Sequence, residues 1–142
     1  MKREIRLIND IIARGIEELD QWRKLPDSAQ LEGSEKGWVY AFVDEGKILY
    51  VGITCQTLSQ RRQGHIGGYR DCPFAHALAQ RETGRTGRNK ELLKDHEYEA
   101  AYDLSRDRVR KMKMIAVRET DGHKRHLLEV AASIAFKTLN KF

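Results

Sequence analysis

Residues 37–65 read GWVYAFVDEGKILYVGITCQTLSQRRQGH, and the fold follows from how this stretch divides. Residues 38–43 (WVYAFV) and 48–53 (ILYVGI) are rich in aromatic and β-branched side chains, the composition of strands. Between them DEGK is a tight-turn sequence in which Gly46 is free to take positive φ. Two runs joined by so short a turn can pair only antiparallel, so the spacing predicts a β-hairpin. It sets Tyr40 and Tyr50 on paired strands and then runs into Arg61, Arg62 and His65.

Downstream, a helix is expected from Thr57 to His65, interrupted by glycines 67 and 68. A second begins near Asp71 and Pro73, where proline suits a first turn, and runs through FAHALAQ. GRTGRNK reads as a flexible basic loop and KELLKDH as a short helix. EYEAAYDL and VRKMKMIAVRE read as two more strands, the second with Met112, Met114 and Ala116 on one face and Lys113, Ile115 and Val117 on the other. A last helix, 122–139, carries Leu128, Ala131, Ala132, Ala135 and Leu139 on its inner stripe. Upstream, Ile5, Ile8, Ile12, Ile16, Leu19 and Trp22 mark an amphipathic helix over 3–24, ended by Pro26 and followed by the polar linker PDSAQLEGSEKG. The fold class expected is α/β of the α+β type: a small, mainly antiparallel sheet of three to four strands flanked by helices. The division expected is a helix and linker over 1–36 and a main domain over 37–142.

At 142 residues the chain suits one core. No stretch approaches the roughly 20 apolar residues of a membrane span, and MKREIRLINDII alternates charge with apolar groups unlike a signal peptide, so a soluble, cytoplasmic protein is expected. Cys55 and Cys72 lack CxxC spacing; reduced thiols are preferred over a zinc site with His65. The formal net charge of +5 is unevenly spread: residues 1–36 carry seven basic and eight acidic side chains, residues 59–94 eight basic and three acidic. Such a window attracts a polyanion, nucleic acid being the common one, with a solvated helical face as the alternative. Arg62, Arg70, Arg85, Arg88 and Lys90 are its candidate substrate-binding residues.

The hairpin and its sequel resemble the GIY-YIG nuclease superfamily. Val39-Tyr40 stands at the end of the first signature, Tyr50-Val51-Gly52 matches the second, and Leu58, Arg61 and His65 match the helix that follows. Far downstream, Glu129 and Asn140 fit the family's metal-binding glutamate and trailing asparagine. The match covers residues 37–140. It departs at one point: Trp38 occupies the place of the first glycine, with Gly37 one position upstream. The resemblance implies a metal-dependent endonuclease acting on DNA, with RNA not excluded. Its catalytic residues would be Tyr40, Tyr50, Arg61 and His65, with Glu129 holding Mg²⁺ (or Mn²⁺) and Gly52 and Asn140 at the substrate.

The residue types suit that chemistry. Phosphodiester hydrolysis needs an activated water, counter-charge for the transition state and help for the departing 3′-oxygen. Tyr40 could take the water's proton if cations lower its pKa from about 10, and Arg61 and His65 are expected to supply them. A guanidinium is also a fork for phosphate oxygens. On this reading Tyr40, Tyr50, Arg61, His65 and Glu129 line one concave surface. Other readings stand beside it: tyrosines packing in strands, Gly52 as a bulge, Arg62 instead of Arg61 turned inward, His65 as a helix-dipole partner, Glu129 solvated, Asn140 as a C-terminal cap. The rival functions are an inactive nucleic-acid-binding module on the same fold and an interaction domain docking through its N-terminal helix. That helix is expected to pack on its own sheet, a homodimer being the alternative.

Overall fold

A computed structural model describes residues 1–25, 32–66 and 72–140. Its elements run α1 (Lys2–Trp22), β1 (Trp38–Asp44), β2 (Lys47–Thr54), α2 (Leu58–Ile66), α3 (Pro73–Thr83), α4 (Asn89–Leu92), α5 (His96–Lys111), β3 (Lys113–Arg118) and α6 (Gly122–Phe136). The fold is α+β, with one antiparallel three-stranded sheet in the order β2-β1-β3.

The hairpin forms as its sequence dictates. Glu45 (φ 52°) and Gly46 (φ 77°) both take positive φ, the backbone of a two-residue turn whose twist matches the strands. The ladder pairs Phe42 with Tyr50 but Val43 with Ile48, leaving Leu49 as an extra residue on β2. This bulge turns Leu49 and Tyr50 toward the same core. The bulge therefore sits near the turn, and Gly52 is a regular ladder residue opposite Tyr40.

Strand alternation sorts side chains into two layers. Trp38, Tyr40, Phe42, Met114 and Ala116 face a core shared with Leu58, Phe74, Leu78, Tyr98 and Tyr102 of α2, α3 and α5. Val39, Ala41, Val51, Ile115 and Val117 face the other core, closed by Leu19 of α1 and by Leu128 and Ala132 of α6. Helix α1 packs on α6 and β3, and a Cβ on Gly15 would stand 2.6 Å from a Leu128 methyl, so glycine permits the close crossing. Only the second half of α1 is buried; Ile5 and Leu7 are exposed. Leu19 thus belongs to the same core as the sheet.

One segment departs from expectation. EYEAAYDL lies within α5 and is helical, not a strand. Its buried residues Tyr98, Tyr102, Ser105 and Val109 recur at steps of four, three and four, which is a helical stripe. Asp95 caps it by accepting from the backbone N–H groups of Glu97 (2.9 Å) and Tyr98 (3.0 Å). The last helix also ends earlier than expected, at Phe136, where Lys137 turns left-handed, and Ala135 is exposed. Among the described residues no helix is long and apolar enough to cross a membrane.

Candidate functional site

Tyr40 sits at the middle of β1 with its ring directed into the helical layer. Arg61 and His65, four residues apart, share one face of α2. Both reach Tyr40: Arg61 Nε donates to its hydroxyl at 3.0 Å, and the hydroxyl lies 2.6 Å from His65 Nε2. On the other side of the imidazole, Nδ1 lies 3.4 Å from Cys72 Sγ. With the tyrosine donating to Nε2, the proton on Nδ1 points at the sulfur, giving a continuous chain Arg61, Tyr40, His65, Cys72. Cys72 is itself fixed as the N-cap of α3, and its N–H donates to the Tyr102 hydroxyl at 3.2 Å.

Burial governs the electrostatics. Burial outweighs the adjacent Arg61 and pushes the Tyr40 phenol up to about 12. It also raises Tyr50, helped by the neighbouring Tyr40 and Glu129. Burial first and Arg61 second drive His65 down to about 3. His65 is therefore a neutral hydrogen-bond partner and not the second cation expected beside Tyr40. Its place near the end of α2 does not make it a charged dipole partner either, since desolvation opposes the imidazolium.

Tyr50 lies against the same histidine, with ring centroids 5.9 Å apart, and stacks on Phe74 at 4.9 Å. Glu129, half-buried on α6, is close enough for its charge to raise both tyrosines. Its own carboxyl is raised by burial, with His126 and Arg61 pulling the other way. It forms no ion pair with a described residue, and no group of three or more His, Cys, Asp or Glu side chains that could hold a metal occurs among the described residues. A half-buried carboxylate with no ion pair to a described residue is a fitting ligand for Mg²⁺, which prefers oxygen donors and keeps several waters. It would be the one protein ligand.

The five residues come together, but not on one open surface. Tyr40 (0 % exposed) and His65 (1 %) lie beneath it, and Arg61 is the member that reaches a cleft of about 500 Å³. Gly52 is required by the tyrosine: a Cβ there would meet the Tyr40 hydroxyl at 2.3 Å. Asn140 clips the outer edge of β2, accepting from the Val51 N–H (2.9 Å) and donating to the Val51 carbonyl (2.5 Å), and it caps no helix. Arg61 and not Arg62 turns inward; Arg62 donates to the carbonyls of Arg110 (3.2 Å) and Met112 (3.4 Å) at the end of α5.

Arg85 is held by Asp95 and Glu97, Arg88 is the exposed residue preceding α4, and Lys90 is exposed on α4. Arg70 lies outside the described residues. The basic side chains that share the cleft with Arg61 are Arg125 and His126 of α6. Nothing in the linear spacing marks them, because α6 reaches β2 only through tertiary packing. Trp38, at the departure from the signature, fills the core, donates its indole N–H to the Glu35 carbonyl (2.8 Å) and lies under the Arg118 guanidinium. No protein-family model, curated protein or solved structure matches the chain.

Proposed function

We propose that the chain is a metal-dependent endonuclease of the GIY-YIG type, hydrolysing DNA phosphodiester bonds. The observation that carries this reading is the convergence of Arg61 and His65 on one phenol oxygen, within the field of a half-buried carboxylate from a distant helix. Three separate segments of chain, β1, α2 and α6, supply these groups. Simple packing asks for none of them to be polar.

Mg²⁺ (or Mn²⁺) at Glu129 would supply Lewis-acid stabilisation of charge on the phosphoryl and departing oxygens. The chain's own residues do the rest. Arg61 offers its remaining guanidinium N–H groups to the phosphate while Nε keeps Tyr40 in place. As the water oxygen bonds to phosphorus and the P–O3′ bond breaks, the water's proton is released to solvent and the 3′-oxygen takes one from solvent. Tyr40 Oη keeps its own proton, donated to His65 Nε2 at 2.6 Å, and turns a lone pair toward the attacking water, orienting it. A neutral histidine with an open acceptor nitrogen suits this arrangement, whereas an imidazolium would turn the tyrosine hydroxyl round.

The burial of the Tyr40 hydroxyl favours a second reading, a nucleic-acid-binding module of the same fold without catalysis. Nicking of supercoiled plasmid in Mg²⁺ and in EDTA separates the two. Metal-dependent conversion to open circles supports the nuclease; retention on DNA with no nicking in Mg²⁺ or Mn²⁺ leaves the binding module.

A further inference from the structure

We infer that the cleft between residues 54–56 and the first turns of α6 binds a second nucleic-acid phosphate, next to the one at Arg61, with Arg125 as its fixed donor and His126 beside it. The inference rests on the nucleic-acid reading above and extends it to residues that the signature does not contain.

The cleft, about 500 Å³, is lined by Cys55, Gln56, Arg61, Arg125 and His126 among others, and none of its described lining residues is acidic. Five arginines elsewhere, Arg23, Arg85, Arg108, Arg110 and Arg118, each sit on a carboxylate, whereas Arg62 donates to carbonyls. Arg61 and Arg125 pair with no carboxylate among the described residues. Two guanidiniums without a salt bridge in one concave site, with the Glu129 carboxyl alongside, focus positive potential where a polyanion can reach it.

Arg125 is also preorganised. Its Nη1 donates to the carbonyls of Glu119 (2.9 Å) and Thr120 (3.1 Å), which fixes the guanidinium while leaving its full charge and its other N–H groups. Neutral carbonyls orient a cation without cancelling it, so less rotamer entropy is lost on binding phosphate. Gly37 makes the room for this. It has φ +92°, and a Cβ there would stand 3.1 Å from Arg125 Nη1 and 3.0 Å from the Glu119 carbonyl oxygen. The glycine that stands one place upstream of the signature thus serves the arginine of this cleft.

Cys55 provides a test on the unmodified protein, because it is exposed at the cleft while Cys72 is buried. A fluorescein-labelled DNA duplex, bound in EDTA so that it is not cut, should slow alkylation of Cys55 by iodoacetamide about tenfold or more; Arg125→Gln should weaken duplex binding about tenfold and lower the log–log salt slope by about 1. An unchanged alkylation rate with the duplex bound, as read by anisotropy, overturns the inference, as does wild-type affinity and slope in Arg125→Gln. Equal protection by inorganic phosphate at the same phosphate concentration also overturns it, since that describes a small-anion site. Protection without cleavage in Mg²⁺ keeps the cleft and removes the nuclease reading. Cleavage without protection does the reverse.

Discussion

Gly52 stands directly opposite Tyr40 in the β1–β2 ladder, and the space its missing side chain leaves is filled by the tyrosine ring. A Cβ would lie 2.3 Å from both Cζ and Oη of that ring. The glycine is thus a packing requirement of the phenol, imposed across the sheet.

Gly52→Ala follows directly. The ring is fully buried and the added methyl would overlap it, so the variant should lose about 1–3 kcal/mol, the usual range for overpacking a close-packed core. It should also lose nicking activity, because the hydroxyl shifts away from His65. Urea unfolding and plasmid nicking check the two; a variant of wild-type stability would show that the strand yields easily.

Tyr40→Phe keeps the ring and removes the oxygen that Arg61 and His65 share. Nicking should fall by about 10² or more, and Arg61→Ala should fall as far by removing transition-state counter-charge. Tyr40→Phe also leaves the Nε2 of a buried imidazole unsatisfied, which should cost about 1–3 kcal/mol. Wild-type rates in either variant contradict the assignment.

Glu129 separates stability from activity. Its folded pKa lies above 4.5, so the folded chain favours the protonated form, and the stability this gives is lost as pH rises through the folded value. At neutral pH the carboxylate is therefore a strain on the fold that Glu129→Gln relieves. The variant should melt no lower than wild type yet lose activity, and added Mg²⁺ should raise the melting temperature of wild type alone. A clear drop in the melting temperature of Glu129→Gln would mean that the carboxylate holds the fold together.

His65 sets the acid response. Unfolded, it titrates near 6.5, whereas the folded chain holds it down to about 3. Below 6.5 the unfolded state binds a proton that the folded state refuses, so stability falls as the pH drops from 6.5 toward 3. Melting curves across that window should slope more steeply for wild type than for His65→Gln. Parallel slopes would mean that the imidazole protonates without unfolding.

The hairpin, β3 and the α2 pairing of Arg61 with His65 were legible because each rests on local periodicity: alternation of period two, or residues one helical turn apart. Helix α5 was not, although its signal was present. In EYEAAYDL the two tyrosines four apart suit a strand by composition, but Asp95 with acidic residues 97 and 99 marks a helix start, and Val109 extends the stripe. The protonation of His65 was hidden for another reason. Residue type and spacing placed it beside Tyr40, but its charge depends on how deeply Tyr40, Phe42 and Tyr50 bury it. The pairing of Arg85 was hidden because sequence counts charges without their partners: it is held by Asp95 and Glu97 at the start of α5.

The clip between Asn140 and Val51 spans 89 residues. Until residue 140 has been made, the outer edge of β2 presents unpaired backbone groups to any strand that meets it. Glu129, the proposed metal ligand, is also supplied late, from a helix that follows the finished sheet. On the ribosome, then, the hairpin with its tyrosines emerges long before the carboxylate and the edge clip. The clip on the sheet edge and the carboxylate beside Tyr40 thus both come from the last part of the chain, so one late segment completes the β2 edge and brings in Glu129.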